Sequence, residues 1–180
     1  MDAVESFEKI GSEKPAIAAR PWFAVGVAAR HEKSVSRILQ HKGFETFLPL
    51  YVNRHQYGKR AREFELPLFP GYVFCRIHAH GRLPVLTTPG VRQVVGAGRE
   101  PIALDEAEIA AIEKAARSKA RMCPYPHWKT GQKGRVTGGA LAGLEGIVIS
   151  VRQPVKLVLS VSLLQRSVLL EIDADCVGVA

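Results

Sequence analysis

A proline-glycine pair set inside an apolar run, Leu68 to Ile77 (LFPGYVFCRI), constrains this chain more than any other stretch. Proline fixes φ and gives up its backbone donor, so the run from Phe64 to Ile77 reads as a strand interrupted near its start by Pro67 and Pro70. Gly71 lets another surface come close to the backbone, and Phe69 and Tyr72 on either side offer a flat apolar face. Those residue types in that order build a docking surface. They equally suit an edge strand that bends at Pro70-Gly71 with Tyr72 half buried.

The rest of the first 120 residues alternates between strand and helix signals. Residues 22 to 28 (WFAVGVA) are rich in strand formers, and residues 31 to 42 switch to a helical period with Val35, Ile38 and Leu39 on one face and Gly43 at the C′ position. Phe44 to Val52 reads as a second strand, and NRHQYGKRAR as a basic hairpin tip leading into the interrupted one. A helical or irregular piece covers residues 81 to 88, Pro89-Gly90 turns the chain, and VRQVVG is a fourth strand. Asp105 as N-cap, Glu108 at N3 and a Leu104/Ile109 staple then predict a helix to about residue 119. This order implies an antiparallel sheet with helices on one side, an α+β sandwich.

Residues 121 to 129 (RMCPYPHWK) read as a linker, because two prolines in three residues stop a helix. Beyond it the runs GRVTG, GIVISV, VKLVLSVSL, SVLLEID and CVGV alternate at short spacing. In the third, Val155, Leu157, Leu159, Val161 and Leu163 face one way and Lys156, Val158, Ser160 and Ser162 the other, a small β-barrel pattern. The expected organisation is a flexible tail over residues 1–20, an α+β domain over 21–120, a linker over 121–128 and a β domain over 129–180.

Charge separates the two halves. The net charge is +8, and residues 30 to 62 hold eight Lys/Arg against two Glu, a net +6 that points to an anionic partner. From residue 122 onward six Lys/Arg face four Asp/Glu, leaving +2. No apolar run approaches the roughly 20 residues of a membrane span, and the N-terminus lacks the order of a secretory signal. Cys75, Cys123 and Cys176 form neither a C-x-x-C pair nor an even set, so a reducing cytoplasm fits best. His78 and His80 have no Asp, Glu or Cys nearby to complete a metal site. The serines lack a G-x-S-x-G context, and GAGRE at 96 to 100 lacks the dinucleotide-binding order, so no enzyme, metal or cofactor is expected.

Two motif sets at the right separation resemble the NusG family of transcription elongation and antitermination factors. The first is Trp22-Phe23-Ala24-Val25, the His31-Glu32-Lys33 helix start and Phe69-Pro70-Gly71-Tyr72-Val73, similar to an NGN domain. The second is GQKGRVTGGALAGLEGIVISV, which looks like a KOW motif through Gly139, Leu141, Gly143, Gly146 and Ile147, and an SH3-like barrel follows from it. The chain departs from the usual pattern at Ala140-Leu141 and at Leu144, where Pro-Phe and an aromatic are frequent. HEK, FLPLY, LPVLTTPGV and LLQRSVLLEID resemble the specialised UpxY-type and RfaH-like paralogues that serve particular operons, often for polysaccharide synthesis.

The resemblance implies a non-catalytic, monomeric factor that binds bacterial RNA polymerase and suppresses pausing or termination. Phe69, Pro70, Gly71 and Tyr72, with Trp22 at the edge, would receive the clamp helices. Leu86, Thr87, Thr88 and Pro89 would face the opposite side of the main channel, so that bridging the two favours the closed clamp. His31, Lys33, Arg37, Arg54, His55, Lys59, Arg60 and Arg62 would lie towards upstream or non-template DNA, or nascent RNA. The KOW domain would recruit a ribosomal protein or Rho. The rival reading is a ribosomal-type KOW RNA-binding protein, against which the weak charge of the second half argues.

Overall fold

The structure is a computed structural model that describes residues 20–57, 60–78, 81–118, 120–125, 132–150, 154–172 and 177–179. At its centre is β1 (Trp22–Val27), all six residues of which are buried. It belongs to a four-stranded antiparallel sheet in the order β2-β5-β1-β6, with β2 at Thr46–Phe47, β5 at Tyr72–Arg76 and β6 at Val91–Val94. Alternation along a strand sends neighbours to opposite faces. Phe23, Val25 and Val27 pack with Val73 and Cys75 against Val35 and Leu39 of helix α1 (Glu32–His41). Trp22, Ala24 and Phe74 pack against Ile109, Ile112 and Ala115 of helix α3 (Glu106–Arg117). The helices therefore cover both faces, not one, and β1 is apolar throughout because neither face meets water.

Prolines cut the strands shorter than the apolar runs suggest. The expected strand over 44–52 is two, β2 and β3 (Leu50–Tyr57), separated at Leu48-Pro49. The expected strand over 64–77 is also two, β4 (Arg60–Pro67) and β5, separated by a turn. The basic segment read as a hairpin tip is mostly strand, since β3 and β4 pair from Leu50↔Pro67 out to Tyr57↔Arg60. Opposite charges face each other there at Arg54↔Glu63. A short helix α2 (Leu83–Leu86) precedes β6, and a two-residue pair, β7 (Gly96–Ala97) and β8 (Glu100–Pro101), follows it.

The second half is a six-stranded antiparallel sheet in the order β14-β10-β11-β12-β13-β9. Its strands are β9 (Arg121–Tyr125), β10 (Gln132–Val136), β11 (Glu145–Ser150), β12 (Val155–Val161), β13 (Arg166–Ile172) and β14 (Val177–Val179). Residues 121–125 are thus not linker: β9 pairs with β13 from Arg121↔Glu171 to Tyr125↔Ser167. Pro124 is tolerated because β9 is an end strand. The remainder of the expected linker, from residue 126, lies outside the described residues, as do residues 1–19 of the tail expected over 1–20. Val155, Leu157, Leu159 and Val161 are buried as their alternation requires, Val158 is buried as well, and Leu163 leaves the row in a 3-10 turn over Ser162–Leu164.

Helix α3 stands between the two sheets, and one buried cluster runs from Trp22 and Phe74 through Ile109 and Ile112 to Leu157, Leu159 and Leu170. Asp105 caps α3 as expected, its carboxylate accepting from the Ala107 amide at 2.8 Å. Glu108 does not close a capping box. Its carboxylate instead accepts from the Ser162 amide at 3.1 and 3.2 Å and from the Ser162 hydroxyl. On the same helix Lys114 donates from Nζ to the Ala142 carbonyl. A cleft of about 570 Å³ lies alongside, between α3 and the strands β11 and β12.

Candidate functional site

Two turns of one type flank the end of β1. In the first, the Tyr72 amide donates to the Phe69 carbonyl at 3.1 Å, with Pro70 and Gly71 between them and Gly71 at φ +85°. In the second, the Val91 amide donates to the Thr88 carbonyl at 3.0 Å, with Pro89 and Gly90 between and Gly90 at φ +90°. Proline at the second position and a positive-φ glycine at the third define a type II turn, and only glycine adopts that φ without strain. Because β5 and β6 both pair antiparallel with β1, the turns leading into them meet at its C-terminal end. There Val27 donates to the Gly71 carbonyl and Ala28 to the Gly90 carbonyl, each at 2.8 Å. Residues 27 to 32 thread between the turns and start α1.

Burial sorts the residues singled out by sequence into surface and support. Pro70 is exposed, and Gly71 and Tyr72 are half-buried. Phe69 is only 2% exposed and meets Phe74 edge to face at 5.3 Å, while Trp22, also 2% exposed, lies under the Arg76 guanidinium at 4.5 Å. Phe69 holds the turn from beneath, whereas Trp22 lies at the other end of β1, opposite Arg76. Arg76 is itself fixed by Glu45 at 3.3 Å, by Glu106 and by the Arg20 carbonyl at 2.7 Å. On the second turn Leu86, Thr87 and Pro89 are exposed, but Thr88 is 2% exposed. Its hydroxyl lies 3.0 Å from the Pro84 carbonyl and 2.8 Å from Lys42 Nζ, which also donates to the Pro84 carbonyl at 2.9 Å. Sequence reading passed over Leu83, whose side chain is 68% exposed beside Leu86; its position one turn before Leu86 on α2 was the available signal.

The basic side chains among the described residues are spread over several faces. His31 and Arg37 are exposed on α1, and Lys33 pairs with Glu65 of β4 at 3.5 Å. Strand register puts Arg54 on the hairpin face shared with Glu63 and Glu65, and Arg62 on the opposite face with Phe64. His55 and Arg60 lie in β3 and β4, where only the backbone is described, and Lys59 lies outside the described residues. Among the described residues no cluster of His, Cys, Asp and Glu suits a metal ion.

In the second sheet the KOW-like residues build the β10–β11 connection. Gly139 (φ +74°) opens a 3-10 turn through Leu141, and Gly143 (φ +83°) closes it, with amide-carbonyl bonds Gly143 to Val136 at 2.7 Å and Val136 to Leu144 at 2.9 Å. Leu141 and Leu144 are buried in the core. Gly146 is demanded by packing: a Cβ would lie 2.8 Å from both Leu157 Cγ and the Val158 carbonyl. Ile147 is half-buried next to it.

The described residues thus make an α+β unit, with paired proline-glycine turns at one end of its sheet, followed by an all-β unit. A family model described as transcription termination factor nusG matches residues 20–113, and the chain belongs to the NusG family of transcription termination/antitermination factors. Proteins named transcription termination/antitermination protein NusG from Helicobacter pylori strains ATCC 700392/26695 and J99 are each 24% identical over 173 residues, covering 84% of this chain and 93% of theirs. A solved structure on domain interaction in Thermotoga maritima NusG superposes with a TM-score of 0.53 at 19% identity, over 88% of this chain and 96% of that one. That likeness is one of fold.

Proposed function

We propose that the chain docks on bacterial RNA polymerase through Pro70, Gly71 and Tyr72, with Leu86, Thr87 and Pro89 making a second contact. The observation that carries this is the pairing of two type II turns on the strands either side of β1, each with accessible tips over a buried base. A rigid two-point contact binds the closed clamp better than the open one and thereby suppresses pausing or termination, with no covalent chemistry. Exposed His31, Arg37, Arg54 and Arg62, with Lys33, His55, Lys59 and Arg60 of the same window, supply attraction to upstream or non-template DNA. Phe69 and Thr88 act as supports in this reading, and Trp22 belongs to the core at the other end of β1. The second sheet, weakly charged, recruits a protein partner, a ribosomal protein or Rho. Service to particular operons follows from the paralogue-like motifs.

A purified transcription reaction with bacterial RNA polymerase tests the proposal. Adding the full chain should lengthen read-through at pause and termination sites, and Tyr72→Ala should lose the effect at equal concentration. Equal read-through with and without the chain would sink it.

A further inference from the structure

The first turn has a partner that its own backbone does not provide. In a type II turn the amide of the third residue points away from the turn's internal hydrogen bond and needs an acceptor elsewhere. For Gly71 that acceptor is Oε1 of Glu32 at 2.9 Å, reached from 39 residues earlier in the chain. Glu32 is 6% exposed, one of four buried polar residues among those described, and it occupies the first position of α1. A carboxylate there is favoured by the helix N-terminus, so its charge is tolerated in a closed site. The Gly71 carbonyl is taken by the Val27 amide, so both polar groups of the glycine peptides are held by the β1–α1 connection.

The geometry points to Glu32 as the positioning residue of the docking turn: it fixes the Gly71 peptide, and with it the presentation of Pro70 and Tyr72 to polymerase. This rests on the docking role proposed above, and it adds a residue that contacts no partner itself. A turn free to rotate its Pro70-Gly71 peptide would lose order at its tip while the sheet beneath stayed intact. Binding would then require re-ordering that the native carboxylate has already accomplished. Glutamine keeps an oxygen at the position of Oε1 and so preserves the acceptor, whereas alanine leaves the amide without one.

The test uses the full chain with Glu32→Ala and Glu32→Gln, measuring amide hydrogen exchange at Gly71 and in β1 together with affinity for core polymerase. Glu32→Ala should lose protection at Gly71, keep it at Ala24 and Val25, and bind polymerase roughly tenfold more weakly. Glu32→Gln should stay close to the parent in all three readings. Glu32→Ala with unchanged affinity, or with protection lost throughout β1, would overturn the positioning role, as would a Glu32→Gln chain as impaired as the alanine one. Tyr72→Ala run alongside separates the two ideas. Full affinity in that variant removes the docking reading itself, while Gly71 exchange still shows whether Glu32 holds the turn.

Discussion

Glu108 joins the two halves of the molecule, and removing its carboxylate should loosen them by a calculable amount. The side chain spans from α3 to Ser162, accepting from one amide and one hydroxyl. A hydrogen bond to a charged group contributes about 1.5–3 kcal/mol, and partial exposure of this carboxylate lowers the expectation to about 1–2 kcal/mol. With a urea dependence of roughly 2 kcal/mol per molar, Glu108→Ala should lower the unfolding midpoint by about 0.5–1 M. A double-mutant cycle with Ser162→Ala isolates the hydroxyl component, which should couple by about 0.5–1 kcal/mol. Fluorescence of the tryptophans followed against urea, on all four chains, gives the numbers. Midpoints unchanged in Glu108→Ala would show that the contact holds nothing together, and strict additivity in the cycle would show that the hydroxyl contributes nothing to it.

Two further outcomes follow from burial. Gly146→Ala puts a methyl within 2.8 Å of the Val158 carbonyl, so backbone must move; a loss of about 1–3 kcal/mol is expected, seen as a melting temperature lower by several degrees. No change in melting would mean the strands separate there at little cost. Burial, helped by Glu45, pushes the Cys75 thiol up to about 12 from 9.0. At pH 9 the unfolded thiol is half ionised while the folded one stays neutral, so Cys75 should resist alkylation until the chain unfolds, and stability should fall as pH rises from 9 towards 12. Alkylation of Cys75 in the native chain as fast as in urea would contradict this.

Local signals predicted the elements well and their assembly less so. The helical period at Val35 and Leu39, the Asp105 cap and the alternation from Val155 to Val161 all appear where residue chemistry puts them. Pro70-Gly71 and Pro89-Gly90 were each legible as a break, yet nothing local says that they become neighbours. That follows from β5 and β6 both pairing with β1. Aromatic character likewise does not tell surface from support: Phe69 and Trp22 are buried, while Tyr72, on the same sheet face as Trp22, is half exposed. Glu108 fits a capping box by spacing, but Ser162, 54 residues away, offered a better pair of donors. RMCPY reads as a linker by its proline, although an end strand accepts proline at no cost to its pairing.

Equilibrium binding of the full chain to core bacterial RNA polymerase, with and without Tyr72→Ala, tests the central claim most directly. Truncating an aromatic anchor at the centre of an interface costs roughly 2 kcal/mol or more, so the variant should bind at least about thirtyfold more weakly while its melting temperature stays near that of the parent. Equal affinities for the two chains, both folded, would contradict the account and move the polymerase contact away from the paired turns.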